Sequence, residues 1–160
     1  MDYSDDGFIG GIDYPCPDRK TYPKMIVAVV IKKCINWRYG IVKDKSIMIV
    51  EDNEHILHAN AEYLRLYDYK VFEASTLDEA KIELSQHTQD LIILDNQLPD
   101  GYGLDFYKEL CHTSDIPVIM ISAEGGSTGE ADALRRGVNV YLRKPYAMEE
   151  LLRHVEMLTY

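Results

Sequence analysis

The sequence predicts a doubly wound α/β fold, one sheet of five parallel strands with helices on both faces. Two observations carry that prediction. From residue 46 onward, short apolar segments alternate five times with segments whose apolar residues recur at helical spacing. The middle apolar segment, LIIL at Leu91–Leu94, has no polar alternation, which is the pattern of a strand covered on both faces. Five β-α units within about 115 residues imply a parallel sheet.

Each element has its own signal. Ser46–Val50 (SIMIV) is a short strand rich in β-branched residues, and Asn53 to Leu66 places Ile56, Leu57, Ala61 and Leu64 on a helix face. Lys70–Ala74 (KVFEA) is the second strand. Thr76 to Ser85 is the second helix, with Leu77, Ala80, Ile82 and Leu84 apolar and Thr76…Glu79 resembling a capping box. After Leu91–Leu94 comes a helix over Leu104 to Cys111. Ile116–Ile121 is the fourth strand and Gly129 to Arg136 the fourth helix. Val138–Leu142 is the fifth strand. Met148 to Leu158 is the fifth helix, with Leu151, Leu152 and Val155 on its apolar face.

Composition narrows the function classes. The 160 residues carry 17 Lys/Arg against 27 Asp/Glu, a net charge of −10. Phosphate backbones need Lys and Arg, so direct DNA binding by this chain is not expected. The longest apolar run, Met25 to Ile31, has seven residues, and a membrane span needs about 20. The acidic N-terminus lacks the basic stretch of a secretory signal. Cys16, Cys34 and Cys111 are widely spaced, giving neither a disulfide framework nor a metal motif. The expected compartment is the reducing cytoplasm. Residues 1–45 hold 8 Lys/Arg and 6 Asp/Glu, net +2, whereas residues 46–160 hold 9 and 21, net −12. The first part has no sustained periodicity and is punctuated by Gly10-Gly11, Pro15, Pro17 and Pro23. It is expected to be an N-terminal extension of unassigned role, 1–45, ahead of a domain at 46–160.

In such a sheet, ligands gather outside the carboxyl ends of the strands. Glu51 and Asp52 follow the first strand, Asp95 ends the third, Ser122 follows the fourth, and Lys144-Pro145 lies just past the fifth. Three carboxylates, a hydroxyl and an ammonium thus converge on one rim. Crowded carboxylates repel, and a hard divalent cation with oxygen ligands resolves the conflict, Mg²⁺ being suited to one or two carboxylates plus phosphate oxygens. A metal and an ammonium beside a carboxylate form a place to receive a phosphoryl group, with the carboxylate as nucleophile. Singly these residues have ordinary explanations: acids favour helix starts, Ser is a turn residue, and Lys-Pro is a common surface pair. Their coincidence at successive strand ends is what points to a site. The five histidines, His55, His58, His87, His112 and His154, show no ligand spacing with a matching partner and are expected to be exposed helix residues.

Four motifs in order make residues 46–158 resemble the receiver domain of two-component response regulators. They are IVEDN (Ile49–Asn53), LIILDNQLPDGYG (Leu91–Gly103), VIMISAE (Val118–Glu124) and YLRKPY (Tyr141–Tyr146). The resemblance implies a flavodoxin-like (βα)5 sheet with strand order 2-1-3-4-5. It implies that Asp95 accepts a phosphoryl group from a phosphohistidine of a sensor histidine kinase or phosphotransfer protein. It makes Asp52 a direct Mg²⁺ ligand, Glu51 the holder of a metal-bound water, and the Gln97 backbone carbonyl the last protein ligand. Ser122 would hydrogen-bond one phosphoryl oxygen and Lys144 pair with another, with a cis peptide at Pro145. Tyr141 would be the aromatic that turns inward when Ser122 moves toward the phosphate. The face of helix four, strand five and helix five would then change shape, with Arg135, Arg136, Arg143 and Arg153 nearby as a partner or homodimer surface. The Glu124–Gly129 loop, with three glycines, is a candidate moving element.

Some departures stand out. The first acid is Glu rather than Asp, the hydroxyl is Ser rather than Thr, and Gln97 and Glu124 occupy positions that tune phosphoryl lifetime in the family. A haloacid-dehalogenase-type phosphatase needs a second Asp two residues after the nucleophile, where this chain has Gln97, and no GxxxxGK[ST] loop occurs. The expectation is a signalling switch, not an enzyme, beyond taking up and hydrolysing its own phosphoryl group. The alternative is a phosphate-independent interaction module on the same fold. Only Thr159 and Tyr160 follow the last helix, so either a stand-alone receiver or a piece of a longer regulator is expected.

Overall fold

Successive residues of a strand point to opposite faces of its sheet, and this decides where each helix packs. The computed structural model describes residues 44–123 and 127–159. The expected extension lies outside them, except for Asp44 and Lys45. Five strands, β1 (Ser46–Val50), β2 (Lys70–Ala74), β3 (Leu91–Asp95), β4 (Val118–Ser122) and β5 (Val140–Arg143), pair in parallel in the order β2-β1-β3-β4-β5. The helices are α1 (Glu54–Arg65), α2 (Leu77–Gln86), α3 (Gly103–Leu110), α4 (Ser127–Arg135) and α5 (Met148–Thr159).

On one face, Ile47, Ile49, Ile93, Ile119 and Ile121 meet Leu57, Ala61 and Leu64 of α1 and Leu151, Leu152 and Val155 of α5. On the other, Met48, Val50, Ile92, Leu94 and Met120 meet α2, α3 and Ala133 of α4. All five residues of β3 are buried, as expected for the central strand. Burying each of its Leu and Ile side chains contributes about 1.5–3 kcal/mol.

The boundaries differ from expectation for identifiable reasons. Strand β4 starts at Val118 rather than Ile116, after Pro117, which has no N–H to give. At its other end the strand runs through Ser122, which closes it rather than following it. Helix α4 ends in a Schellman turn: Val138 N–H donates to the Ala133 carbonyl at 3.2 Å and Gly137 N–H to Leu134 at 3.1 Å. Gly137 has φ +101°, a conformation that favours glycine. Val138 is thus spent on the helix cap, and β5 begins at Val140. The Glu124–Gly126 part of the expected moving loop lies outside the described residues.

A two-residue antiparallel ribbon, Gln97–Leu98 with Gly101–Tyr102, was not foreseen. Pro99 and Asp100 form the turn between its strands. The added role is that the Asp100 carboxylate accepts from the Leu77 and Asp78 amides, both at 3.0 Å, capping α2 alongside Thr76. Burial opposes ionisation of Asp100, but these amides hold its carboxyl below the usual range. A depressed carboxylate stabilises above its unfolded pKa of about 3.9 and loses that contribution as pH falls through the folded value. Asp100→Ala is expected to cost about 1 kcal/mol in urea denaturation at neutral pH. The deficit should shrink below pH of about 4.

Candidate functional site

Glu51 follows β1 directly, with its amide held by the Ala74 carbonyl of β2 at 3.1 Å. Its side chain is buried, accepting from the Asn53 amide at 3.3 Å and from Lys144 Nζ at 2.6 Å. Asp52 is exposed at the rim. Its neighbour Asn53 starts α1, its side-chain oxygen accepting from the His55 and Ile56 amides. Asp95, the last residue of β3, is buried; it accepts from the Gln97 amide at 3.0 Å and from Lys144 Nζ. Oxygens of Glu51, Asp52 and Asp95 all lie within 4.8 Å of one another.

Lys144 lies just past β5. Its amide donates to the Ser122 carbonyl at 2.9 Å, and its peptide bond to Pro145 is cis, as expected. Ser122 is fully buried at the end of β4. Tyr141 lies half-buried on β5 against the α2–α3–α4 side of the core, and a Cβ on Gly129 of α4 would stand 3.8 Å from its hydroxyl. The expected residues of the rim, Glu51, Asp52, Asp95 and Lys144, are thus brought together, with Ser122 one strand away from Asp95.

The electrostatics follow from three clustered carboxylates, two of which, Glu51 and Asp95, share one ammonium. Burial pushes the Glu51 carboxyl up; the Lys144 bond opposes this and the Asp95 charge adds to it. Burial acts against the Lys144 ammonium, but bonds to Asp95 and Glu51 hold its pKa above the ordinary value. The ammonium offsets only one of three negative charges. A hard cation with oxygen ligands is the group this donor set fits. The described histidines join no such cluster. His55 and His58 are exposed on α1 as expected, whereas His154 is half-buried. Two of the arginines named near the α4-β5-α5 face are paired within the chain: Arg143 with Glu130 at 2.6 Å, and Arg136 with Asp132 at 2.7 Å.

Sequence reasoning missed three supports. Asn96 donates its amide to Ile121, accepts from Gly103 on its carbonyl, and accepts from the Leu104 amide on its side chain at 3.1 Å. It ties β3, β4 and α3 together, but its partners, Gly103, Leu104 and Ile121, all lie seven or more residues on, so no local pattern announces it. Gly103 closes the LIILDNQLPDGYG motif. A Cβ there would run into the Asp95 carbonyl and stand 3.1 Å from Asn96 Cα. Gly103→Ala is expected to cost about 1–3 kcal/mol, read from the urea midpoint; unchanged stability would mean that α3 has room to shift. The third support joins Asn60 of α1 to Tyr146, whose hydroxyl accepts from the amide at 2.8 Å.

Comparison with known proteins agrees with this fold. The family model described as the response regulator receiver domain matches residues 47–156. The KDP operon transcriptional regulatory protein KdpE of Escherichia coli (strain K12) is 39% identical over 106 residues, covering 66% of this chain and 47% of that protein. The phosphate regulon transcriptional regulatory protein PhoB of the same organism is 33% identical over 115 residues, covering 70% and 50%. The chain thus spans about half the length of these curated relatives. Among solved structures, the non-phosphorylated HemR receiver domain from Leptospira biflexa is 28% identical with a TM-score of 0.68, covering 72% of this chain and 94% of that one. No described helix is long and apolar enough to cross a membrane. Receiver domains of response regulators are phosphorylation-dependent signalling modules. With the fold, the acidic rim and the matched residues in agreement, the chain belongs to the response regulator receiver domain family.

Proposed function

We propose that Asp95 accepts a phosphoryl group from the phosphohistidine of a sensor histidine kinase or phosphotransfer protein. The observation that carries this is the Glu51–Asp52–Asp95 cluster with Lys144 bound to two of its members. A carboxylate oxygen of Asp95 forms the new P–O bond as the donor P–N bond breaks, and the donor imidazole leaves with the electron pair. Mg²⁺, held by Asp52 and Asp95 with Glu51 and the Gln97 carbonyl, would supply charge neutralisation for the transferring oxygens. Lys144 then shifts its ion pair toward a phosphoryl oxygen, and Ser122 donates its hydroxyl to another. The phosphoryl group adds negative charge and strong acceptor oxygens at the end of β3.

The readout we assign to this event is the α4-β5-α5 face. Ser122, drawn to the phosphoryl group, leaves room that Tyr141 fills. For the charge on Asp95 to shift this equilibrium, the two states must already lie within a few kcal/mol. That face serves a partner or a second copy of the chain. We take residues 46–160 as the receiver and 1–45 as an extension, and place the protein in the cytoplasm. KdpE and PhoB are named transcriptional regulators, so control of an output domain or partner is the role proposed for this receiver.

Intact-protein mass after incubation with Mg²⁺ and acetyl phosphate tests the reading. A single phosphoryl addition that requires Mg²⁺ supports it. No adduct, with no beryllofluoride binding, replaces it with a phosphate-independent interaction module. Asp52→Ala is expected to weaken Mg²⁺ binding by more than about tenfold, since losing even an outer partner of a metal ligand costs that much. Unchanged affinity in a calorimetric titration rules Asp52 out as a ligand.

A further inference from the structure

Asn60 is an amide on the face of α1 that otherwise carries Leu57, Ala61 and Leu64 into the core. It is 2% exposed, and its Nδ2 donates to the Tyr146 hydroxyl at 2.8 Å. A buried amide is costly unless hydrogen-bonded, and a leucine at this position would fill the core without that demand. The bond joins two residues 86 positions apart in the chain. What it ties down is the connection from β5 to α5.

That connection carries Lys144. Its entry is fixed by the Lys144 amide on the Ser122 carbonyl. Its exit is fixed by the Ala147 carbonyl, which accepts from the Glu150 and Leu151 amides at 3.0 and 3.1 Å. Between them Pro145 has no N–H to offer, and the Tyr146 hydroxyl ties the stretch sideways to α1. The Lys144 ammonium stands on a flexible four-carbon stem, so its place between Glu51 and Asp95 depends on where its backbone is held. Tyr146 is also in electrostatic reach of the rim. Burial pushes its hydroxyl up, Asn60 opposes this, and the Glu51 and Asp95 charges add to the rise while Lys144 opposes it.

We infer that Asn60 and Tyr146 are a positioning pair, whose hydrogen bond holds the Lys144 connection against α1 so that the ammonium meets the phosphoryl group on Asp95. This rests on the acceptor role proposed for Asp95.

Tyr146→Phe, Asn60→Leu and the double variant are compared with wild type in the full chain. The readouts are the rate of phosphoryl addition from acetyl phosphate, Mg²⁺ affinity and the urea midpoint. Each single variant is expected to add phosphoryl about fivefold more slowly, with Mg²⁺ affinity unchanged, because a small misplacement of a positioned group is felt in rate. The double variant replaces both polar partners with apolar groups, so its midpoint should recover while its rate stays low. Recovery of rate together with the midpoint overturns the inference, as does loss of rate in step with Mg²⁺ affinity, the mark of general loosening. Variants as fast as a phosphorylated wild type overturn the pair's role alone. A wild type that takes no phosphoryl group overturns the acceptor role and this one with it.

Discussion

Asp95→Asn is expected to abolish phosphoryl addition while leaving the fold intact. Asparagine keeps the shape of the side chain, and its amide oxygen can still accept from the Gln97 amide, as Asp95 does at 3.0 Å. What it loses is the anionic nucleophile. The effect on stability is small because two changes oppose each other. One negative charge leaves the crowded rim, which relieves repulsion with Glu51, and Lys144 loses one of its two carboxylate partners. Mass spectrometry after acetyl phosphate treatment, beside a urea denaturation curve, checks both halves. A variant that still gains one phosphoryl mass places the acceptor elsewhere on the rim.

Lys144→Met is expected to have the largest effect on stability in metal-free buffer. It leaves the buried Glu51 and Asp95 carboxylates facing each other without their shared cation. Breaking a fully buried pair costs about 3–5 kcal/mol. The Lys144 side chain is 19% exposed, and water screens part of the loss, so about 2–3 kcal/mol is expected. The deficit depends on pH with a defined sign. Glu51 is held above its ordinary pKa, so the folded state takes up its proton more readily than the unfolded chain. That contribution favours folding as pH falls through the folded pKa. The variant should therefore be weakest at pH 8 and recover part of its stability at pH 5, or at pH 8 on adding Mg²⁺. Equal stability of wild type and variant at pH 8 without Mg²⁺ would show that the ammonium does not offset the carboxylates.

Much of this molecule is written locally. The apolar runs and their neighbouring helical periodicities mark every strand of the five-stranded sheet and every described helix, because burial on two faces and burial on one leave different patterns. Glu51, Asp52, Asp95, Ser122 and Lys144 were found by asking which residues stand at the carboxyl ends of strands, a question that needs no coordinates. The boundary shifts at Val118 and Val140 also have local causes, a proline without an N–H and a glycine that closes a helix.

The features that escaped the sequence are those in which distant partners meet. The Asp100 carboxylate caps a helix that begins 23 residues earlier, and Asn60 bonds a tyrosine 86 residues later. Asn96 joins two strands and a helix. The strand order 2-1-3-4-5 entered through family resemblance, since the hydrophobic pattern specifies which residues are buried but not which strand lies beside which. The sequence by itself determined the elements, their parallel sense and the chemistry of the rim, because each depends on residue type and spacing along the chain. Only the tertiary structure decided which carboxylates share the ammonium and which side chains hold its loop, because hydrogen bonds and ion pairs depend on distances that the folded chain alone sets.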